Sequence, residues 1–308
     1  MTEGEPQKPS KRRVLTAFGA IYFFWGATFL AVRIAVVAVP PLITISIRCI
    51  GGALILWVWL AWRGKIRRPT LAQWRQAAMV SFFLFLTCQA LLAWGLQRVS
   101  SGQAALISAT IPLWIVLLQS GRRRTLPSPL VFAGLALGTA GVALLAGGAA
   151  RNSGTPLDRT LLIIAAFSWS LGSLLGRSGA RPEAVAQGTA MQLTTGAAWV
   201  LGASALRGDL AGWSSWAVTP RIVGAFVFLV VCGTVLGFGA YTWLLQVSSP
   251  TLVGSYAFVN PIVALALGWL VGDDQITLRM FAAAALVIGA VVLTTLATPA
   301  VAREVQRG

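Results

Sequence analysis

Histidine is absent from the 308 residues, and aspartate and glutamate together number only 8. The acids are Glu3, Glu5, Asp158, Glu183, Asp209, Asp273, Asp274 and Glu304, and all of them fall in tails or between apolar segments. A serine–histidine nucleophile is thereby excluded, and no pair of acids inside an apolar run offers general acid/base chemistry or a metal site. The lysines Lys8, Lys11 and Lys65 also lie outside the apolar runs, which removes the serine–lysine alternative. The chain reads as a non-enzyme. Cysteine is scarce too: Cys49, Cys88 and Cys232 sit singly in apolar segments without CxxC spacing, so neither a disulfide framework nor a zinc site is expected.

Charge is the other shortage. Charged residues make up 10% of the chain and hydrophobic residues 57%, against about 25% and about 45–50% in a soluble domain. Such a chain cannot cover a water-facing surface, and in lipid it has no need to. A net charge of +16 would suit nucleic acid if the charges formed one face. They lie instead in short runs between apolar segments, so they report membrane orientation and nucleic acid is not an expected partner. The opening MTEGEPQKPSKRR is too polar for a cleaved signal peptide and no small-residue cleavage site follows it, so the first apolar run is read as a retained helix.

A helix needs about 20 apolar residues to cross the hydrocarbon core. Ten spans are expected, near Val14–Val36, Leu42–Trp62, Gln76–Gln97, Gln103–Ser120, Ser128–Gly147, Thr160–Gly176, Val185–Leu206, Arg221–Leu244, Thr251–Val271 and Leu278–Ala297. With the N-terminus inside, sixteen Lys and Arg residues collect on one side and six on the other, which places both termini in the cytoplasm. Arg33 and Arg48 lie in or near the membrane.

The chain carries a weak internal repeat. Trp25 and Arg33 recur as Trp169 and Arg177, and at the same offset Arg48, Gly52 and Ala53 match Gln192, Gly196 and Ala197. Trp94-Gly95-Leu96-Gln97 recurs as Trp243-Leu244-Leu245-Gln246, with Pro112 and Pro261 following at similar places. Five spans per half force the second half to enter the membrane from the opposite side, and a substrate site between such halves is the usual consequence. The expected fold is an all-α integral membrane protein of ten transmembrane helices in two inverted five-helix repeats (5+5). Its parts are a cytoplasmic tail (1–13), a first repeat (14–147), a periplasmic linker (148–159), a second repeat (160–297) and a second cytoplasmic tail (298–308).

The sequence resembles the EamA type of the drug/metabolite transporter superfamily and, within it, the YedA-like exporters. The likeness is carried by Trp25-Gly26-Ala27-Thr28-Phe29-Leu30, Pro40-Pro41 leading to Arg48, Ser101-Gly102-Gln103-Ala104 and Ala109-Thr110-Ile111-Pro112. Ala190-Met191-Gln192, Tyr256-Ala257-Phe258-Val259-Asn260-Pro261 and Gly268-Trp269-Leu270 extend it to roughly Phe18–Thr295. The resemblance implies a carrier in the cytoplasmic (inner) membrane that moves amino acids, other metabolites or drugs, mostly outward, without a cofactor. It also implies a cavity formed by the first, third, fourth, sixth, eighth and ninth helices. Two departures stand: Leu96 occupies a position where many relatives carry glutamate, and Gly272-Asp273-Asp274 replaces Gly-Glu.

Candidate substrate contacts follow from polar and aromatic residues inside spans. The helices that the resemblance places around the cavity raise Gln89, Ser108, Tyr256 and Asn260 above Thr28, Thr110, Ser173, Gln192 and Thr234. Trp25, Trp94, Trp169 and Trp243, with Phe24 and Phe258, offer flat apolar walls. Each such polar residue has a packing alternative, since interhelical hydrogen bonds are worth about 0.6 kcal/mol in membranes. Arg48 lies about 9 Å below the outer end of its helix at ~1.5 Å per residue, where a charge costs about 2.5–3.5 kcal/mol to insert. Two readings stand for it: a guanidinium in the cavity that attracts a carboxylate, or a structural arginine bound to carbonyls or to Asp273 or Asp274. Pro112 and Pro261 are either flex points beside the path or static kinks.

The expected function is transport, most simply export, of small organic metabolites by alternating access. A bidirectional facilitator or uptake carrier is the nearest alternative, and a membrane sensor or assembly subunit a distant one. Membrane lipid and a small-molecule substrate are the expected partners, with a monomer or weak oligomer as the working unit. Because no acid or histidine lies in a span, transport is expected to be facilitated diffusion or coupled without a buried carboxylate. In reconstituted vesicles, an imposed pH gradient with the voltage clamped should leave substrate flux unchanged; a clear acceleration would sink this expectation.

Overall fold

The computed structural model describes residues 10–99, 104, 107–124, 126–146, 155–211, 216, 218–271 and 278–305. Asp273, Asp274, Gly102, Gln103 and most of the expected linker lie outside the described residues. Among those residues the secondary structure is helical: α1 Lys11–Val36, α2 Pro41–Trp62, α3 Leu71–Gly95, α4 Ile111–Arg123, α5 Pro129–Ala146, α6 Pro156–Arg177, α7 Val185–Arg207, α8 Pro220–Val247, α9 Tyr256–Val271 and α10 Leu278–Val305. A single turn, Pro250–Gly254, precedes α9.

The helix starts are written locally. Thr70 caps α3 and Thr155 caps α6, each in a reciprocal box with Gln73 or Asp158 three residues on. Thr155-Pro156, Thr219-Pro220 and Ser249-Pro250 combine a hydroxyl cap with a proline whose missing N–H is no loss in the first turn.

Among the described residues, five helices are long and apolar enough to cross a membrane: α1, α2, α3, α6 and α8. Pro129–Gly141 and Phe281–Leu293 are shorter apolar helices. The reasons the others fall short are physical. The fourth and ninth expected spans are interrupted, by a turn at Ala109–Thr110 and at Ser255. In α7, Gln187, Gln192, Thr194 and Thr195 dilute the apolar content. Pro112 is not inside a helix, as its spacing suggests. It stands at the second position of α4, where it breaks no hydrogen bond, whereas Pro261 does interrupt α9.

Packing follows a pattern that survives renumbering each helix by five. The α1 helix packs on α8 and α9, and α6 on α3 and α4; α2 packs on α7 and α8, and α7 on α2 and α3; α5 packs on α10. The inner parts of α3 and α8 are both π-helical, at Phe82–Gln89 and Leu229–Phe238. The repeated glycines serve these stretches. A Cβ on Gly52 of α2 would sit 2.6 Å from Thr234 Cγ2 in the π stretch of α8, and one on Gly196 of α7 would sit 2.5 Å from Phe85 Cδ2 in that of α3. In lipid, helices associate through such close approach because no hydrophobic effect drives them together.

Gly52→Ala and Gly196→Ala should each cost about 1–3 kcal/mol through overpacking, seen as a lower Tm in detergent. Gly202→Ala, whose Cβ meets nothing within 4 Å, should be neutral or slightly stabilising on helix propensity, by up to about 1 kcal/mol.

Candidate functional site

The site begins at Trp25. Gly26 lets α1 lie against α9, since its Cβ would come within 2.5 Å of Val263 Cβ. Gly237 in the π stretch of α8 leaves room for the indole, whose Nε1 would lie 2.7 Å from a Cβ there. The indole N–H then donates to the Gly233 carbonyl at 2.9 Å. Trp169, its repeat counterpart on α6, meets Trp25 edge-on with ring centroids 5.4 Å apart. Tyr241 and Tyr256 complete the cluster at 4.9 and 4.7 Å from Trp25, in the edge and tilted arrangements that ring quadrupoles favour.

On one side of this cluster lies a narrow cavity of about 60 Å³. All seven residues put forward as substrate contacts line it: Trp25, Arg48, Gln89, Ser108, Trp169, Tyr256 and Asn260. Thr28, Phe29, Val32, Cys88, Leu92, Leu96, Ile111, Ala165 and Ala166 fill out the wall. The lining runs from the aromatic cluster toward the end of the molecule where α1 and α3 finish. The cavity is smaller than an open small-molecule site, but its mixture of apolar walls with a few converging polar groups is what such sites contain.

Arg48 is the only charged residue in the lining and is 5% exposed. Its Nε donates to Thr234 Oγ1 at 2.7 Å, Nη1 to Gln89 Oε1 at 3.3 Å and Nη2 to the Gly233 carbonyl at 3.4 Å. Thr234 is itself anchored by donating to the Leu229 carbonyl at 2.9 Å. The ion pairs among the described residues are Arg98–Asp158 and Arg207–Asp209, both elsewhere. The two readings of Arg48 therefore merge: it is bound structurally through neutral groups, and it also faces the cavity. Across from it, Asn260 Oδ1 is buried without a hydrogen-bond partner, an open polar atom of the kind a ligand or water satisfies. Pro261 leaves the Ala257 carbonyl without its helical donor close by.

On the opposite side of the cluster hydroxyl contacts join the helices, beside a crevice that reaches Tyr241 and Thr242. The Tyr241 hydroxyl is hydrogen-bonded to Ser173, Tyr22 to Ser255 at 2.7 Å and Thr189 to Thr242 at 2.7 Å. Ser173 belongs to this seal and not to the cavity, and Gln192 faces a separate crevice between α3, α6, α7 and α8. Four of the expected aromatic walls are elsewhere as well, Phe24 among them in a recess on the outside of the bundle. Trp94 lies under Arg207, whose guanidinium carbon is 4.2 Å from its ring centroid; Trp243 lies under Arg13; and Phe258 is packed in a second core cluster. The eighth helix supports the cavity through Gly233 and Thr234, while Arg48 brings in the second helix. Tyr241 is the residue that motif matching misses, because its repeat counterpart is Leu92. The signal available was rarity: only three tyrosines occur, all inside apolar segments.

With this geometry in hand, comparison with known proteins is decisive at family level. The EamA-like transporter family matches residues 13–147 and again 159–296. The chain belongs to that family. It is 31% identical over 307 residues to the "Uncharacterized inner membrane transporter YedA" of Escherichia coli (strain K12), covering 96% of this chain and 97% of the relative. The "Uncharacterized transporter YoaV" of Bacillus subtilis (strain 168) is 22% identical, covering 92% and 97%. A crystal structure with 21% identity superposes with a TM-score of 0.75 over 95% of this chain and 99% of the other, which shows a shared fold. The protein is thus a multi-pass helical membrane transporter.

Thr234→Val keeps the shape of the side chain but removes the acceptor for Arg48 Nε. It should cost about 1.5–3 kcal/mol, the scale of a hydrogen bond to a charged group, read as a fall in Tm in detergent, with Thr234→Ser retaining most of the stability.

Proposed function

We propose that this protein moves small organic metabolites, such as amino acids or related amphiphilic compounds, out of the cell across the inner membrane by alternating access of two inverted five-helix halves. The observation that carries the proposal is the cavity itself. A guanidinium that meets neutral groups among the described residues, an Asn260 oxygen with no partner among them and the Trp25 and Trp169 rings converge where the two halves meet. A solute with a carboxylate or other anionic group and an aliphatic or aromatic side group complements that set: Arg48 takes the anion and the indoles take the apolar part. The double family match supports the two-repeat reading, and so does a packing pattern that repeats on exchange of the halves.

The sixteen-to-six distribution of basic residues supports cytoplasmic termini. In that orientation the cavity lies on the periplasmic side of the aromatic cluster and the Ser173–Tyr241 contact closes the cytoplasmic side. Inverted repeats reach the opposite state by exchanging the roles of the halves. Pro112 and Pro261 sit beside the breaks that would flex. Among the described residues the cavity lining contains no acid, which favours a facilitated or exchange mechanism over a proton relay.

The test is flux of a panel of amino acids, organic acids and neutral analogues in proteoliposomes of both orientations. At least one carboxylate-bearing solute should move, and Arg48→Gln should raise its KM about 10- to 100-fold, the equivalent of one charged hydrogen bond, while changing neutral solutes little. If no solute moves in either orientation, the carrier reading fails.

A further inference from the structure

A second, larger recess lies on the outside of the helix bundle, between α1, α2, α7 and α8, with a volume of about 980 Å³. Its walls are apolar over most of their length, and Phe24, Leu56, Trp59 and Trp243 are prominent among them. At its lip, where α1 begins, it carries Ser10, Arg12 and Arg13. No acidic residue occurs in its lining, and α1 has none in its first turn. The Arg13 guanidinium carbon is held 5.1 Å from the centroid of the Trp243 ring.

We infer that this groove is a binding site for one anionic phospholipid, its phosphate at Arg12 and Arg13 and its acyl chains along the apolar walls. Length is the first argument. Along α1 the groove runs from Ser10 to Phe24, about 21 Å at ~1.5 Å per residue. That is half of a bilayer whose thickness is about 40–45 Å with its headgroup regions, so the groove fits a lipid of one leaflet. Charge is the second. Two arginines and a helix N-terminus meet at the headgroup level, with tryptophans beside them at the depth where membrane interfaces favour these residues. The alternative occupants suit it less well. The chain's first nine residues carry Glu3, Glu5 and little apolar surface, and a second copy would have to insert a ridge between four helices.

The site stands apart from the central cavity, so it depends on the membrane placement of α1 and not on which solute is carried. It also has a convenient plug. A Cβ on Gly239, which lies in the wall, meets nothing within 4 Å, so Gly239→Leu fills the groove without disturbing the packing behind it.

The experiment is native mass spectrometry of the delipidated full-length chain in detergent, titrated with phosphatidylglycerol or with phosphatidylcholine of the same acyl chains. One phosphatidylglycerol per chain should be retained in preference to phosphatidylcholine. The double substitution Arg12→Gln/Arg13→Gln should weaken retention about 30-fold, at about fivefold for each basic residue near an anionic headgroup, and Arg12→Lys/Arg13→Lys should retain most of it. Gly239→Leu should also weaken retention while leaving Tm in phosphatidylcholine unchanged. Equal retention of the two lipids, or equal retention by wild type and both loss variants, overturns the proposal. So does a lipid-free dimer that Gly239→Leu disperses, which would assign the groove to a second copy.

Discussion

A guanidinium buried among helices and held, among the described residues, by neutral groups is the constraint around which the rest is arranged. Arg48 sits at a depth where an unsatisfied charge would cost more than the few tenths of a kilocalorie that each interhelical contact returns. It is held by a hydroxyl, an amide oxygen and a carbonyl, from Thr234, Gln89 and Gly233. Two of these belong to one widened stretch of α8, and Gly233 O also accepts the Trp25 indole. Backbone that bonds sideways to side chains is tolerated in a membrane only where neighbouring protein satisfies it. The π stretch, the arginine and the tryptophan therefore form one unit, and each is costly without the others. A neutral shell also leaves the positive charge uncancelled, which is what gives the cavity a chemical preference.

That unit explains why small residues recur where they do. Gly52 gives α2 its approach to Thr234, Gly237 makes room for Trp25, and a Cβ on Gly233 would meet Thr28 Cγ2 at 2.7 Å. The second half repeats the architecture with different chemistry. Gly196 lets α7 approach Phe85 in the other π stretch, but Gln192 stands where the arginine would be and its Oε1 is buried without a partner. Leu92 and Tyr241 exchange in the same way, so one side of the aromatic cluster holds a cavity and the other a hydroxyl seal. Related halves supply the scaffold. Differences between the halves supply the site.

Much of this was legible in the sequence because lipid leaves few choices. Composition alone identifies the class, and a backbone that must satisfy itself in hydrocarbon makes apolar runs into helices. Gln89, Ser108, Tyr256 and Asn260, with Arg48, Trp25 and Trp169, reach one cavity, whereas Ser173 and Gln192 are taken up by helix packing elsewhere. What escaped the sequence depends on shifts of a single hydrogen bond. The π stretches at Phe82–Gln89 and Leu229–Phe238 carry no residue signature, and they rotate the helix beyond them. A uniform helical period therefore misplaces Trp94 and Trp243. Pro112 was misread for a related reason: its spacing matches Pro261, but the chain restarts a helix one residue before it.

Two of the misplaced tryptophans show how far position, more than residue type, determines the role of an aromatic ring in this protein. Trp25 and Trp169 lie at mid-helix among buried neighbours, and their rings pack on one another and on tyrosines. Trp94 and Trp243 come near helix ends, and each is paired with an arginine, Arg207 or Arg13. A cation over an indole face is attracted by about 0.5–1 kcal/mol at exposed sites and more where water is thin, so an interfacial ring keeps an arginine close to the membrane that would otherwise extend into water. The basic residues that set orientation are thus also positioned locally. At the α1 end this fixes Arg13 beside an apolar groove, and at the other end it holds Arg207 over Trp94 beside the mouth formed by Val36, Leu42 and Arg98. The same two residue types, separated by half a bilayer, build an apolar wall at the centre and a charged rim at each surface.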